Sequence, residues 1–316
     1  MDGVIVVDKP AGRSSFDVVK VVRALPGVEK AGHTGTLDPL ATGVLPVCIN
    51  EATKLVQFLC MDSKDYRCTM LLGVETDTLD IEGDVLAREE VNIGVRDVED
   101  VLKSCTGKIE QVPPRYSALK HKGKTLYSLA RKGIYVQPAP RRVEIHRIEL
   151  LDVRLPYVTF LVSCSKGTYI RSLCADVGER LGTKACVAGL RRLRSGSFHE
   201  EGALSVEELR NRRPGDVACR LISMADALAG MPAVYVDERC AARLRRGHQP
   251  TVRDLNGNNM PSLAAGDMVK FVLKLDELVA VGAVLHDSER RALLAPDERA
   301  VRIKRIFNGS EVHRSA

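Results

Sequence analysis

The sequence predicts an α+β protein in which a mixed or antiparallel sheet domain is followed by a small β-rich one. Strand-like and helix-like segments do not alternate for long enough to suggest a parallel βαβα sheet. Some strands follow each other directly, as "RRVEIHRIELLDV" and "YVTFLVSCS" do. From about Pro232 the chain changes to short apolar runs and one basic helical segment. The expected division is therefore residues 1–230 and 231–316, with the polar, turn-rich "NRRPGD" as the boundary region.

The elements follow in order. "GVIVVDKP" is an apolar strand ended by Asp8, Lys9 and Pro10. "SSFDVVKVVRALPG" is a helix with Ser14 or Ser15 as N-cap and a Pro26-Gly27 stop. "GHTGTLDPLATGVLP" is rich in glycine and proline, and its "DPLATG" fits one helical turn with Asp38 as N-cap, closed by Gly43. "EATKLVQFL" continues as a helix to Cys60, "DYRCTMLLG" as a strand, and "VRDVEDVLKSCTG" as a helix ending at Gly107. Residues 111–133 combine a Pro-Pro turn, an irregular basic segment and a short helix. After the two paired strands, "TYIRSLCADVGERLG" is an amphipathic helix, and "ACVAGLRRLRSGSF" a strand with its arginines on one side. "SVEELRN" is a short helix, and in the last domain Asp237 to Arg246 is helical, followed by "MVKFVL", "LVAVGAVL" and "RAVRIKRIF" as strands.

Composition narrows the function. No run approaches the roughly 20 apolar residues of a membrane span. The N-terminus lacks the pattern of a signal peptide and leaves no room for a transit sequence, so a cytoplasmic location is expected. Nine cysteines without a Cys-x-x-Cys pair read as buried thiols rather than zinc ligands or disulfides. "KGKT" at 122–125 is not a phosphate loop, because position 118 is Ala rather than the required glycine. Between Arg115 and Arg147 lie nine Lys or Arg and one acid, and Arg239 to Arg253 holds five Arg and no acid. Two such blocks in a chain of net charge +6 favour a polyanion such as nucleic acid as partner.

A few residues stand out as candidates for chemistry. Asp38 is the one carboxylate of its loop, with His33 five residues upstream. The residues alone support either a helix cap or a carboxylate presented to a ligand. Arg171 falls in the first turn of a helix, where a cation is disfavoured by the dipole and calls for an anionic partner. Asp38 is a candidate for that anion, in a bidentate pair. Tyr66 and Tyr169 sit beside charged residues at strand ends in a chain with six Phe, seven Tyr and no Trp, so each suits either packing or stacking on a base.

The chain resembles the TruB family of tRNA pseudouridine synthases in "GVIVVDKPAGRSSFDVV", "GHTGTLDPLATGVLPVCINEATK", "SKDYRCTMLLGVETDTLD", "QVPPRYSALKHKGKTLYSLARKG", "SKGTYIRSL" and "GLRRLRSG". The segment after Pro232 resembles a PUA-type RNA-binding domain. The resemblance implies a pseudouridine synthase catalytic domain with a PUA-like appendage, acting without cofactor or metal on uridine 55 in the T-arm of tRNA. It implies that Asp38 is the essential carboxylate, Arg171 its partner, and Tyr66 the residue stacked on the target base. Tyr169 and Leu190 would line the uracil pocket, Lys9 would support the loop, and His33 would fill the space left by the flipped nucleotide. Arg191, Arg192 and Arg194 would contact phosphates, and the basic 115–147 block would close over the RNA arm. A monomer needing no protein partner is expected, since the chain has the stand-alone form rather than that of the guided enzymes. A non-catalytic RNA-folding protein and a guided synthase are the competing expectations.

Overall fold

The computed structural model describes residues 1–61, 63–211, 214–255, 262–273, 277–291 and 293–308. Arg212 and Arg213 of the expected boundary segment, and residues 309–316 of the expected second domain, lie outside the described residues.

A ten-stranded sheet organises the first part of the chain. In chain order its strands are β1 (Gly3–Lys9), β2 (Ala31–His33), β3 (Thr42–Ile49), β4 (Lys64–Leu72), β5 (Gly107–Gln111), β6 (Arg141–Arg154), β7 (Tyr157–Cys164), β8 (Ala185–Ser195), β9 (Phe198–His199) and β10 (Leu204–Ser205). Their spatial order is β10-β1-β3-β8-β4-β7-β6-β5, with β2 also on β3 and β9 on β8. Pairing is antiparallel except for β1 with β10 and β3 with β8. The sheet is thus mixed, as expected.

Both faces of the central strands are covered, which explains why they read as nearly continuous apolar runs. Ile5, Val7, Leu45, Val47 and Ile49 enter one core, beneath the helices α1 (Ser15–Arg23), α2 (Val95–Ser104) and α3 (Ile170–Arg180). Val4, Val6, Val44 and Cys48 point the other way, into a second cluster with Phe198, Leu228, Leu278, Val281 and Phe307. The two-residue period of a strand therefore divides β1 and β3 between two hydrophobic layers. Helix α1 begins at a capping box in which the Asp17 amide donates to Ser14 Oγ and the Ser14 amide donates to Asp17 Oδ2, each at 3.2 Å.

A second, four-stranded sheet contains β11 (Ala233–Tyr235), β12 (Met268–Leu273), β13 (Glu277–Val284) and β14 (Val301–Ile306), in that order. Helix α4 (Glu238–Arg245) starts at the Asp237 cap and contributes Ala241 and Leu244 to this sheet's own core. Phe307, just past β14, is fully buried in the layer shared with β1 and β3. Lys54 Nζ also donates to Ile306 O at 3.1 Å, so the end of the second sheet is clasped to the first.

Three local expectations change. "DPLATG" is not a helical turn: a single Ala41 N–H to Asp38 O bond at 3.1 Å tightens it before the chain enters β3 at Thr42. Gly43 is a residue of β3, with φ +99°. "KGKT" makes the tip of a small hairpin, Lys120–His121 against Lys124–Thr125, with positive φ at Lys122 and Gly123. The arginines of β8 do not share a side: Arg192 is fully buried while Arg191 and Arg194 are partly exposed, and a bulge separates Arg192 from Arg194.

Candidate active site

One edge of β3 is shared by two strands, and the candidate site is built around the space between them. β2 pairs with Val47–Ile49 and β8 pairs with Thr42–Gly43. Residues 34–41 leave β2 at one end of that edge and return at the other. Val44 between them lacks a strand partner for its carbonyl on this edge, and the buried Arg192 supplies one, its Nε donating to Val44 O at 2.7 Å. Arg192 Nη2 donates to Gly35 O at 3.1 Å, tying the loop to β8. A Cβ on Gly43 would overlap the Arg192 backbone, so only glycine fits there. At Gly35 a Cβ would meet nothing nearer than 3.5 Å, so the fold makes no such demand there.

Three residues from the first strand and helix hold the loop on its other side. Ser15 Oγ donates to Leu37 O at 2.9 Å and accepts from Leu37 N at 2.7 Å. Gly12 N donates to Pro39 O at 2.9 Å. Lys9 is buried, and its Nζ donates to Pro10 O at 2.9 Å and Pro39 O at 3.1 Å. Burial lowers the Lys9 ammonium to about 8, against the pull of Asp38 in the opposite direction. Asp38 is thus bracketed by residues whose backbone is anchored on both sides.

Asp38 Oδ2 lies 2.9 Å from Arg171 Nε, with the carboxylate side chain 35% exposed and the arginine side chain 5%. The Nε–H does not point along that line and makes no hydrogen bond, so the contact is an ion pair through one nitrogen rather than the expected bidentate fork. The other guanidinium nitrogens are engaged elsewhere: Nη1 donates to Thr78 O at 2.6 Å and Nη2 to Tyr116 O at 2.8 Å. A second carboxylate, Asp80, stands 3.6 Å from Nη1 and is nearly buried. Arg171 is therefore held from behind by two carbonyls and Asp80, leaving its Nε edge to face Asp38.

Asp38 and Arg171 open onto a cleft of about 250 Å³ that is also lined by Tyr66, Tyr169, Leu190 and Thr36. Tyr66 is 7% exposed and lies opposite Arg192 in the β4–β8 ladder. Burial raises its phenol pKa, with the Arg192 cation acting in the other direction, and burial likewise raises that of Tyr169. Both rings are neutral phenols at neutral pH. The Tyr169 backbone is fixed by the Gln111 amide, which receives Tyr169 N at 2.8 Å and donates to Tyr169 O at 3.0 Å.

The structure brings Asp38, Arg171, Tyr66, Tyr169 and Leu190 to one cleft. Lys9 lies beneath the loop, and His33 precedes it at the end of β2. Burial, then the charge of Arg192, lowers the His33 pKa, so the ring is neutral at neutral pH. The three arginines of β8 differ in placement, and the fully buried Arg192 departs from the expected phosphate contact. Arg192 cannot reach a phosphate, because it is fully buried on backbone carbonyls. Arg191 grips Asp8 through two nitrogens at 3.0 and 2.9 Å and bonds Glu200, and Arg194 grips Asp65 at 2.6 and 2.8 Å. Reading the sequence missed Gln111, Thr78, Asp80 and Tyr116. The signals for Thr78, Asp80 and Gln111 are the polar turn "ETDTLD" and the glutamine of "QVPPRY", both inside segments that carried the resemblance.

A mixed sheet presents one carboxylate, ion-paired to a buried arginine in a tyrosine-walled cleft, and the family and relatives that the chain matches make it a pseudouridine synthase, an isomerase. Residues 23–170 match the TruB family pseudouridylate synthase (N terminal domain), and residues 171–214 match the tRNA pseudouridylate synthase B C-terminal domain. The chain belongs to the TruB family. It is 50% identical to the tRNA pseudouridine synthase B of Syntrophus aciditrophicus (strain SB) over 98% of this chain and 99% of that protein. With the protein of the same name from Geobacter sulfurreducens it shares 43% over 98% of this chain and 100% of the other. A crystal structure of the archaeal box H/ACA sRNP Nop10-Cbf5 complex contains a chain similar at TM-score 0.77 and 27% identity, covering 98% of this chain and 87% of that one. Among the described residues no helix is long and apolar enough to cross a membrane.

Proposed function

We propose that this protein converts uridine 55 in the T-arm of tRNA to pseudouridine, acting alone. The observation that carries the reading is the half-exposed Asp38 carboxylate against the Arg171 Nε edge, at the mouth of a cleft walled by tyrosines and Leu190. Uridine isomerisation needs one ionised carboxylate near carbon 1′ of the ribose, to attack there or to take the proton from carbon 2′. Arg171 orients that carboxylate, and the low-polarity walls strengthen their attraction. Tyr66, as a neutral phenol, serves as the surface on which the uracil stacks while its glycosidic bond breaks and it turns to rejoin through carbon 5, which then loses its proton as nitrogen 1 gains one. Tyr169 and Leu190 bound the space for that rotation.

The uridine must leave the RNA stack to enter the cleft, at a cost of a few kcal/mol. The neutral ring of His33 suits refilling the gap by stacking rather than proton transfer. Lys9 holds Pro39 and so the backbone next to Asp38. Residues 1–230 form the catalytic domain and 231–316 an RNA-binding, PUA-like domain; the separate sheet and core of the latter support that division. Arg191 and Arg194 contact phosphates only by competing with Asp8 and Asp65, so they are weak RNA ligands. The identity over nearly the whole chain to proteins named tRNA pseudouridine synthase B supports tRNA as the substrate.

The test is to incubate the purified protein with an unmodified tRNA transcript and map pseudouridine in the T-loop. Product at position 55 is expected, and Asp38→Ala is expected to abolish it while keeping the thermal midpoint of the parent. No product from the parent, or undiminished product from Asp38→Ala, refutes the reading.

A further inference from the structure

The exposed edge of α1 carries an aromatic ring, and two arginines near its start and on a later helix share a groove that the uridine cleft does not include. Phe16 is 63% exposed, and Lys20 Nζ lies 4.8 Å from its ring centroid. Arg13, just before the cap of α1, and Arg210 line one wide groove along with Thr42 and Ser205. Among the described residues neither Arg13 nor Arg210 has an ion-pair partner. The acids nearby are largely engaged: Asp17 with Ser14 and Lys20, and Asp8 with Arg191, which leaves Glu207 on the groove wall.

This edge is coupled to the catalytic loop. Ser15 bonds Leu37 and Gly12 bonds Pro39, so Phe16 and Arg13 are chain neighbours of residues that touch both sides of Asp38. A solvent-facing aromatic ring three residues along the chain from an unpaired arginine, which itself shares a groove with a second, offers what single-stranded RNA requires, the ring stacking a base and the guanidinium groups taking phosphates.

We propose that Phe16, Arg13 and Arg210 form a second contact for the RNA substrate, with Phe16 stacking an unpaired base and the two arginines binding the phosphates beside it. The proposal rests on the reading of the protein as an RNA-modifying enzyme. Equilibrium binding of an unmodified tRNA transcript to the full chain, over a series of salt concentrations, tests it. Phe16→Ala is expected to weaken binding about tenfold, as loss of one stacked base does, and Phe16→Tyr to restore it. The double variant Arg13→Gln/Arg210→Gln is expected to make the dependence of log K on log salt shallower by about two. Thermal melting checks that the variants fold. If the parent makes pseudouridine but neither the affinity nor the salt slope of the variants changes, this contact is refuted alone. If the parent makes none, the functional reading falls and this contact with it.

Discussion

The first turn of α3 and strand β8 both place an arginine beside the Asp38 loop, yet the two have opposite surroundings. Arg171 is 4% exposed and faces two carboxylates as well as two carbonyls. Arg192 is wholly buried and donates to two carbonyls of the loop and strand it supports. A buried cation with anionic partners can steer a reacting carboxylate, whereas one whose hydrogen bonds go to carbonyls holds backbone in place and acts on its surroundings only through its charge. Arginine in an active site is thus two different devices, and burial alone does not tell them apart.

Substitutions should separate the two roles. Arg171→Lys keeps the charge but cannot reproduce the Nη bonds to Thr78 and Tyr116 while facing Asp38, so single-turnover pseudouridine formation should fall roughly 10²–10³-fold. Gly43→Ala comes next, because a side chain at φ +99° must displace the Arg192 backbone; chemical denaturation should show a loss of about 3 kcal/mol or more. Arg192→Met leaves Val44 O and Gly35 O unsatisfied inside the protein, costing about 2–3 kcal/mol by the same measurement. Its effect on rate should track the lost stability, and a rate loss as large as that of Arg171→Lys without unfolding would erase the distinction.

The smallest effect concerns Lys9, whose ammonium is lowered by burial to about 8. Between that value and the ordinary 10.5 the folded chain binds fewer protons than the unfolded one at this site, so this residue makes stability rise with pH there. Below pH 8 the cost of burying the charge is present in full. The denaturation free energy of the parent minus that of Lys9→Met should therefore increase from pH 8 to 10, and a flat difference would place the Lys9 titration elsewhere.

Much of the fold was legible because local pattern and tertiary demand agree. Val4 to Val7 read as a strand, and the capping box at Ser14 and Asp17 marks the start of α1 by chemistry that needs no distant partner. Arg171 signalled its need for an anion through its place in a helix's first turn. Asp38 as a helix cap failed for a reason no local pattern contains. Asp38 has Pro39 after it, as a capped helix often does, but parallel pairing of Thr42 and Gly43 with β8 pulls the chain into a strand before a helix can form. Asp80 was hidden because the bridge of Asp80 to Val187 and the positive φ at Leu79 carry it to Arg171 from 91 residues away in sequence.

By itself the sequence determined the order of strands and helices, the mixed α+β class, the family resemblance and the singular position of Asp38. These follow from side-chain periodicity and from residue types that recur at set spacing. Tertiary structure alone decided what each charge does. Whether Arg171, Arg191, Arg192 and Arg194 meet a carboxylate, a carbonyl or solvent depends on which strand edges are shared and which faces are covered. Electrostatic roles are set by distance and burial in three dimensions, and four arginines of identical chemistry were sorted by those two quantities into an ion-pair partner of Asp38, a buried strut and two surface clasps.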